Sequence, residues 1–279
     1  MSAEAFGSRP ARTVLLYVLL AALTVLFLAP IIWVLFSSFK SGSELFAWPP
    51  SLFPQNPTLE NYSLAFSKGD FGVFFGNSAF VAVASTLLTV IINIMAGYAF
   101  AKYEFPGRDV IFVLFIATLM LPLEVIMIPI FQVVRAFGMY NSLWGIIIPP
   151  AATPTGVFLA RQFFLSIPNE LLEAARIDGA TERRIFLSLI IPIAKPVMSV
   201  LAIFAFMWRW NDFMWPLLVI RDMNKYTVQL ALASFNGQFS VDWNSLLAMA
   251  VVSMIPALIV FLIFQKQFVK GMVVSGMKE

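Results

Sequence analysis

The apolar residues of this chain gather into long unbroken runs separated by short polar stretches, instead of recurring at helical or strand spacing on a polar background. A hydrocarbon core about 30 Å thick takes roughly 20 apolar residues in a helix, and six runs approach that length. Residues 14–36 are broken only by Thr24 and Pro30, and 77–100 are uncharged and rich in small side chains. Residues 110–134 carry one charge, Glu124; 143–160 are uncharged but contain Pro149, Pro150 and Pro154, which predict an irregular span continuing over 143–164. Residues 196–218 hold Arg209 and Asp212 toward their far end, and 246–264 are again uncharged. The expected fold is an all-α integral membrane protein with six transmembrane helices in a domain at 14–268, between a short terminus at 1–13 and a tail at 269–279. The first run is too long for a signal-peptide apolar region and lacks a small-residue cleavage site, so it is expected to be retained.

Composition agrees, because 60% hydrophobic residues, 12% charged and 29 Phe in 279 residues exceed what one soluble core can hide. Without Cys there is no disulfide or thiolate metal site, and without His the commonest general base and metal ligand is missing. Catalysis, metal and cofactor are therefore not expected in this chain. The net charge of +3 is too small to suggest nucleic acid, and its placement is more telling. Arg9, Arg12, Lys102, Arg108, Arg161, Arg176, Arg183, Arg184, Lys195, Lys266, Lys270 and Lys278, twelve of the 18 basic residues, fall on one side of a six-span topology. The positive-inside bias puts that side in the cytoplasm, with both termini and the segment joining the fourth and fifth spans.

The first outside segment, 40–76, carries Pro49, Pro50, Pro54 and Pro57, too many for a regular helix. Within it 62–74 alternates aromatic and polar residues, which suits either an interfacial helix or a solvated connector. No internal repeat is visible.

The cytoplasmic segment 169–192 reads as a helical hairpin. Asn169 suits an N-cap, with Glu170 and Glu173 placing negative charge at the positive end of the helix dipole. Gly179 can close that helix in the left-handed conformation, and Thr181 is a candidate cap for a second helix running toward Pro192. Ala175 and Gly179 are expected to share a face of small residues open to another protein's backbone, flanked by Glu173, Arg176, Asp178 and Glu182. On these residues alone the segment is either a docking site or an ordinary amphipathic connector.

The string EAARIDGA from Glu173, followed by Ile191 and Pro192, resembles the signature of ABC importer permeases. Glu173, Ala174, Ala175, Gly179, Leu189, Ile191 and Pro192 fall on it in register, with Leu189 and Ile191 exchanging the usual Ile and Leu. NPTLENY from Asn56, the Asn-Ser pair at Asn77, YEFPGR from Tyr103, RQFF from Arg161, WND from Trp210 and FVKGMVVSGMKE at the end extend the likeness over nearly the whole chain. The combination resembles the second permease of maltose-type and glycerol-phosphate-type uptake systems. The resemblance implies a subunit of the bacterial inner membrane that pairs with a related permease as a heterodimer. Two copies of a cytoplasmic ATPase, which hold the ATP and Mg, would bind below, and an extracytoplasmic solute-binding protein would deliver a carbohydrate above. The hairpin is then the coupling element, with Glu173, Ala174, Ala175, Arg176, Asp178 and Gly179 as ATPase-coupling residues. The tail 270–279 resembles a segment that reaches between the ATPases in related permeases, departing from many of them in ending on Glu279 instead of Gly.

Candidate residues of the substrate path are Asn93, Glu124, Trp210, Asn211 and Asp212. Glu124 lies at membrane depth between Pro122 and Pro129, where an acid in lipid costs roughly 2.5 to 3.5 kcal/mol or more, so it is expected to face the bundle or water. It either accepts hydrogen bonds from sugar hydroxyls, caps backbone freed by the prolines, or pairs with an arginine of the partner chain. Aromatic faces stack on sugar rings while amides and carboxylates bind hydroxyls, so Trp208, Trp210, Asn211, Asp212 and Trp215 suit a carbohydrate. Tryptophans near a span end also form the interfacial belt, the role expected of at least two of these three. Asn93, alone in the apolar middle of its span, either hydrogen-bonds across helices or lines a cavity. A sugar or oligosaccharide is the expected substrate; glycerol-3-phosphate or a glycerophosphodiester is the alternative, for which only Arg209 and Arg161 offer basic groups near the path. A proton-coupled transporter with Glu124 as relay would need neither ATPase nor hairpin, and a membrane scaffold or receptor would transport nothing and show no substrate-stimulated ATP hydrolysis with its partners.

Overall fold

A computed structural model describes the backbone of residues 10–235 and 241–276 and the side chains of 13–235 and 241–265. Every regular element among the described residues is a helix. The chain divides into two units, one drawn from Met1–Gly69 and Phe235–Met254, the other from Asp70–Ser234 and Ile255–Glu279. The expected tail at 270–279 has no described side chains, and its last three residues lie outside the described residues altogether.

In the first unit the helix Pro10–Ser37 contains the apolar stretch Thr13–Ser37, none of whose most apolar window is buried. Such a helix meets lipid or another subunit on every side. Its end is tied down by polar groups: Asn61 donates from Nδ2 to the carbonyls of Ser38 and Lys40, both at 2.8 Å, and Asn244 donates to the carbonyl of Lys40 at 2.9 Å. Buried Lys40 reaches the Ser51 carbonyl and lies 4.6 Å over the Trp33 ring, and Lys68 pairs with Asp242. No single helix covers 62–74. Glu60–Ser67 ends, and a new helix opens at Phe71, where the Asp70 carboxylate accepts from the Val73 N–H at 3.2 Å.

The second unit is organised on the 32-residue helix Phe71–Lys102, which packs against Pro154–Leu165 and Lys195–Trp210. At Gly97 the first of these partners comes so close that an added Cβ would sit 2.4 Å from the Ala160 Cβ and 2.8 Å from the Arg161 N. A small residue is the condition for that crossing. Two apolar clusters lie along the helix, one around Tyr98, Phe164 and Ile190, the other around Val81, Ile146 and Trp215.

Two of the expected spans are interrupted. The third divides into Arg108–Met120 and Leu123–Ala136, bent by 114° where Pro122 forces Leu121 into an extended conformation with ψ 125°. The fifth does not run to residue 218: Lys195–Trp210 stops, Asn211 to Phe213 leave the helix, and a short helix Met214–Val219 follows. Lys195–Trp210 also meets the preceding Glu182–Ile193 at 74°. The fourth is irregular as its prolines predict, with Leu143–Ile147 and Pro154–Leu165 on either side of a non-helical stretch. Three described helices are long and apolar enough to cross a membrane alone, Thr13–Ser37, Phe71–Lys102 and Trp243–Gln265, and five if each bent pair is one span.

Candidate functional site: the helical hairpin and the polar residues of the spans

Glu170–Ile177 forms the first limb of the hairpin. Leu172 is buried and Ala175 packs against the same cluster, so this edge of the helix grips the chain's own core. Ala175 and Gly179 therefore do not share an open face: the helix ends at Ile177, and Gly179 stands in the turn beyond it, with φ +78° and no atom within 4 Å of where a Cβ would be. The exposed stripe lies on the opposite edge, over Leu171, Ala174 and Ile177, with Glu173 and Asp178 beside it. Ile177 is 86% exposed, an unusual state for an apolar residue that repeats at helical spacing with two others.

Asn169 occupies the position before this helix but does not cap it with its side chain, because its Oδ1 accepts from Lys102 Nζ at 2.7 Å instead. Thr181 does cap the second limb, accepting from the Arg184 N–H at 3.4 Å. That limb continues from Glu182–Arg184 into a wider π-helical winding, Ile185–Ile190, in which Ile191 N–H bonds to Phe186 five residues back, just before Pro192. The limbs are tied to each other by Arg176, whose Nε donates to Glu182 Oε1 at 2.7 Å and Nη2 to Oε2 at 3.4 Å. Glu182 also accepts from the Tyr103 hydroxyl at 2.7 Å. The Arg176 and Tyr103 hydrogen bonds hold the Glu182 carboxyl below the usual carboxylate range. Burial, and then the bond to Glu182, push the Tyr103 phenol up, so it stays protonated and remains a donor. Beneath this group Tyr98 meets Tyr103, Phe164 and Phe186 at ring distances of 5.6, 5.4 and 5.2 Å. Sequence reasoning singled out neither Lys102 nor Tyr103 as a partner of the hairpin; the only signal was that YEFPGR begins at Tyr103.

The polar residues of the spans are held apart from one another. Asn93 is fully buried; its Oδ1 accepts from the Thr153 N–H at 3.0 Å and its Nδ2 donates to Thr153 Oγ1 at 3.2 Å. It bonds across helices at the proline-rich break of the fourth run. Glu124 sits in the first turn after the Pro122 bend, exposed, and makes no hydrogen bond or ion pair among the described residues. Trp210 is buried, with Phe206 stacked on it at 5.9 Å and Phe75 at 6.2 Å. Trp215 is buried as well and donates to the Gly145 carbonyl at 3.1 Å. An interfacial belt thus keeps one of the three tryptophans, Trp208 at 63% exposure, because the other two fill core positions. Asp212 pairs with Arg209 at 2.5 Å, both side chains nearly buried, and accepts from the Trp215 N–H at 3.3 Å. Asn211 is exposed and returns its amide to the Met207 carbonyl at 2.8 Å.

Apolar helices too long for a soluble core, interrupted spans packed in the second unit on one long helix, and a hairpin with an open apolar stripe define a membrane subunit that works with other chains. The chain belongs to the family of binding-protein-dependent transport system inner membrane components, which it matches over residues 93–274. It is similar to the arabinooligosaccharides transport system permease protein of Bacillus subtilis, 36% identical over 92% of this chain and 92% of the relative. It is also similar to the sn-glycerol-3-phosphate transport system permease protein of Pectobacterium atrosepticum, 35% identical over 84% of this chain and 86% of that one. Its fold matches a chain in the crystal structure of a bacterial ABC transporter involved in the import of the acidic polysaccharide alginate, with TM-score 0.83 and 27% identity, over 94% of this chain and 99% of that chain. It is an ABC importer permease, a multi-pass inner-membrane protein that is not itself an enzyme.

Proposed function

We propose that this permease forms half of the translocation path of an ATP-driven importer for a sugar or oligosaccharide delivered by an extracytoplasmic solute-binding protein. The observation that carries the substrate class is the similarity over 92% of the chain to an arabinooligosaccharide permease. The side chains support the same choice over the glycerol-phosphate alternative. The two basic groups a phosphate would recruit are already engaged, Arg209 by Asp212, and Arg161 by Asp109, the Phe100 carbonyl and the Phe112 ring. A neutral sugar needs no free cation.

In this reading the chain crosses the membrane six times, at about 14–36, 77–100, 110–134, 143–164, 196–218 and 246–264, the third crossing bent at Pro122 and the fifth broken after Trp210, with both termini cytoplasmic. It pairs with a related permease, and two cytoplasmic ATPases bind below. The hairpin at 169–192 docks on one of them through Leu171, Ala174 and Ile177, with Glu173, Arg176, Asp178 and Gly179 around the contact. The open polar groups Glu124 and Asn211 face the path or the partner permease, while Asn93, Trp210 and Asp212 shape it from behind.

The test is purification of the full importer and uptake of labelled arabinooligosaccharide and glycerol-3-phosphate into proteoliposomes containing ATP. Sugar uptake that needs both ATP and the binding protein is the expected result. Glycerol-phosphate uptake in its place would transfer the assignment to the second relative's substrate, and uptake that runs without ATP but collapses with the proton gradient would overturn the importer reading.

A further inference from the structure

We infer that the consecutive residues Lys102 and Tyr103, at the end of the central helix, clamp both limbs of the hairpin and make that helix a direct carrier of the hairpin's motion. The inference rests on the hairpin being the ATPase-coupling element. Lys102 Nζ donates to the Ile167 carbonyl at 2.5 Å and to Asn169 Oδ1 at 2.7 Å, both on the lead-in to the first limb. Tyr103, still joined to the helix by its N–H to the Ala99 carbonyl at 3.1 Å, donates its hydroxyl to Glu182 on the second limb. Arg176 of the first limb grips the same carboxylate, so five side chains, Lys102, Asn169, Arg176, Glu182 and Tyr103, close a ring through both limbs and the helix end.

The covalent chain joins the hairpin to Pro154–Leu165 before it and Lys195–Trp210 after it, not to Phe71–Lys102. Without the clamp the central helix would feel the hairpin only through apolar contacts such as those of Leu172 and Ile185. Burial of that kind is non-directional and lets surfaces slide, whereas charge-assisted hydrogen bonds fix a direction and a register. The helix so gripped has 32 residues, about 48 Å at 1.5 Å each, and carries Asn93 and, near its other end, Phe75 against Trp210. A displacement applied at its last turn is therefore delivered across the depth of the membrane. Lys102 and Tyr103 are positioning residues, since neither touches substrate or ATPase in this account.

The test compares Lys102→Met, Tyr103→Phe and the double variant with wild type in the reconstituted importer, measuring ATP hydrolysed and substrate moved per ATP. The double variant, which removes three hydrogen bonds that each involve a charged group, is expected to assemble and to hydrolyse ATP at the wild-type rate while substrate moved per ATP falls by about tenfold or more, tenfold being the scale of losing one such bond. Lys102→Arg should restore much of its share, and Tyr103→Phe combined with Glu182→Gln should cost little more than either alone. An unchanged yield per ATP in the double variant overturns the clamp. If the double variant fails to assemble, spin labels at Leu87 and Arg183 of the otherwise wild-type importer decide the matter: a separation that stays constant through the ATP cycle is expected, and one that changes refutes it. Ile177→Asp is the control for the underlying reading, for an importer that still binds its ATPase with that substitution shows that the hairpin does not dock there, whatever the clamp does.

Discussion

Substituting Gly179 separates two demands that meet in the hairpin turn. At φ +78° an ordinary L-residue places its Cβ against the following carbonyl, at roughly 1 to 2 kcal/mol, while Asn adopts this region far more readily. No atom of the chain lies within 4 Å of the Cβ position, so the added methyl of Gly179→Ala meets nothing of its own, and strain is the whole cost in the isolated subunit. That cost corresponds to about a 5- to 30-fold change in the ratio of closed to open turn. Hydrogen exchange of the hairpin amides should therefore quicken by about that factor in Gly179→Ala and by much less in Gly179→Asn. In the assembled importer a second demand enters, because an ATPase surface that approaches the glycine backbone is obstructed by either side chain. ATP-driven uptake should then fall in both variants, including the Asn variant whose turn is intact. Wild-type uptake by Gly179→Asn would refute close approach of the partner at this residue, and unaltered exchange in Gly179→Ala would refute the strain calculation.

Gly97→Ala should disrupt the crossing of Phe71–Lys102 and Pro154–Leu165 at a cost of about 1 to 3 kcal/mol or more, since its Cβ would strike backbone that cannot swing away; a thermal midpoint equal to wild type in detergent would argue against that packing. Asp212→Asn should destabilise the subunit by about 3 to 5 kcal/mol through the buried Arg209 it leaves unpaired, and Arg209→Met with Asp212→Asn, which keeps an acceptor for the Trp215 N–H, should recover most of the loss in the same melting assay. Hairpin protection against hydrogen exchange should be flat between about pH 5 and 9. Glu182, held low, contributes fully above the ordinary glutamate value of about 4.3 and loses its contribution as pH falls through its lowered value, and Tyr103, raised, contributes fully below about 10 and loses it as pH rises beyond. A slope inside that window would mean that another group governs the turn.

Features set within a few residues were legible in the sequence. Gly179 in the left-handed region, Thr181 as a cap and the proline-broken fourth run depend on local backbone chemistry and came out as expected. Prolines mark where the limit lies. Pro30, Pro129 and Pro256 sit inside continuous helices, whereas Pro122 turns the chain by 114°, and nothing local distinguishes them. Packing within the subunit does not distinguish them either, since the helix around Pro30 is uncovered by the rest of the chain. Pairs far apart in sequence meet the same limit. Asn93 and Thr153, or Tyr103 and Glu182, meet only through the packing of Phe71–Lys102 against its neighbours, and the burial of Trp210 against Phe75 and of Trp215 beside Gly145 follows from packing and not from their nearness to a span end.

The interruptions of the spans also give Glu124 its meaning. Where the fourth run breaks, Asn93 answers the freed Thr153 N–H; where the fifth breaks, Asp212 answers the Trp215 N–H; and Trp215 in turn answers the Gly145 carbonyl. At the Pro122 break the nearby ionisable group, Glu124, finds no partner among the described residues. An uncovered acid in lipid costs roughly 2.5 to 3.5 kcal/mol, so its counterpart must come from water, substrate or another subunit. Glu124→Leu should therefore leave the isolated subunit at least as stable as wild type while importer function is lost, and Glu124→Gln divides the explanations. A raised KM for the sugar with normal assembly would assign Glu124 to the substrate; failure to recover the second permease on purification would assign it to a cationic group on that chain. Normal transport by both variants would mean that water alone satisfies the acid and that it belongs to neither.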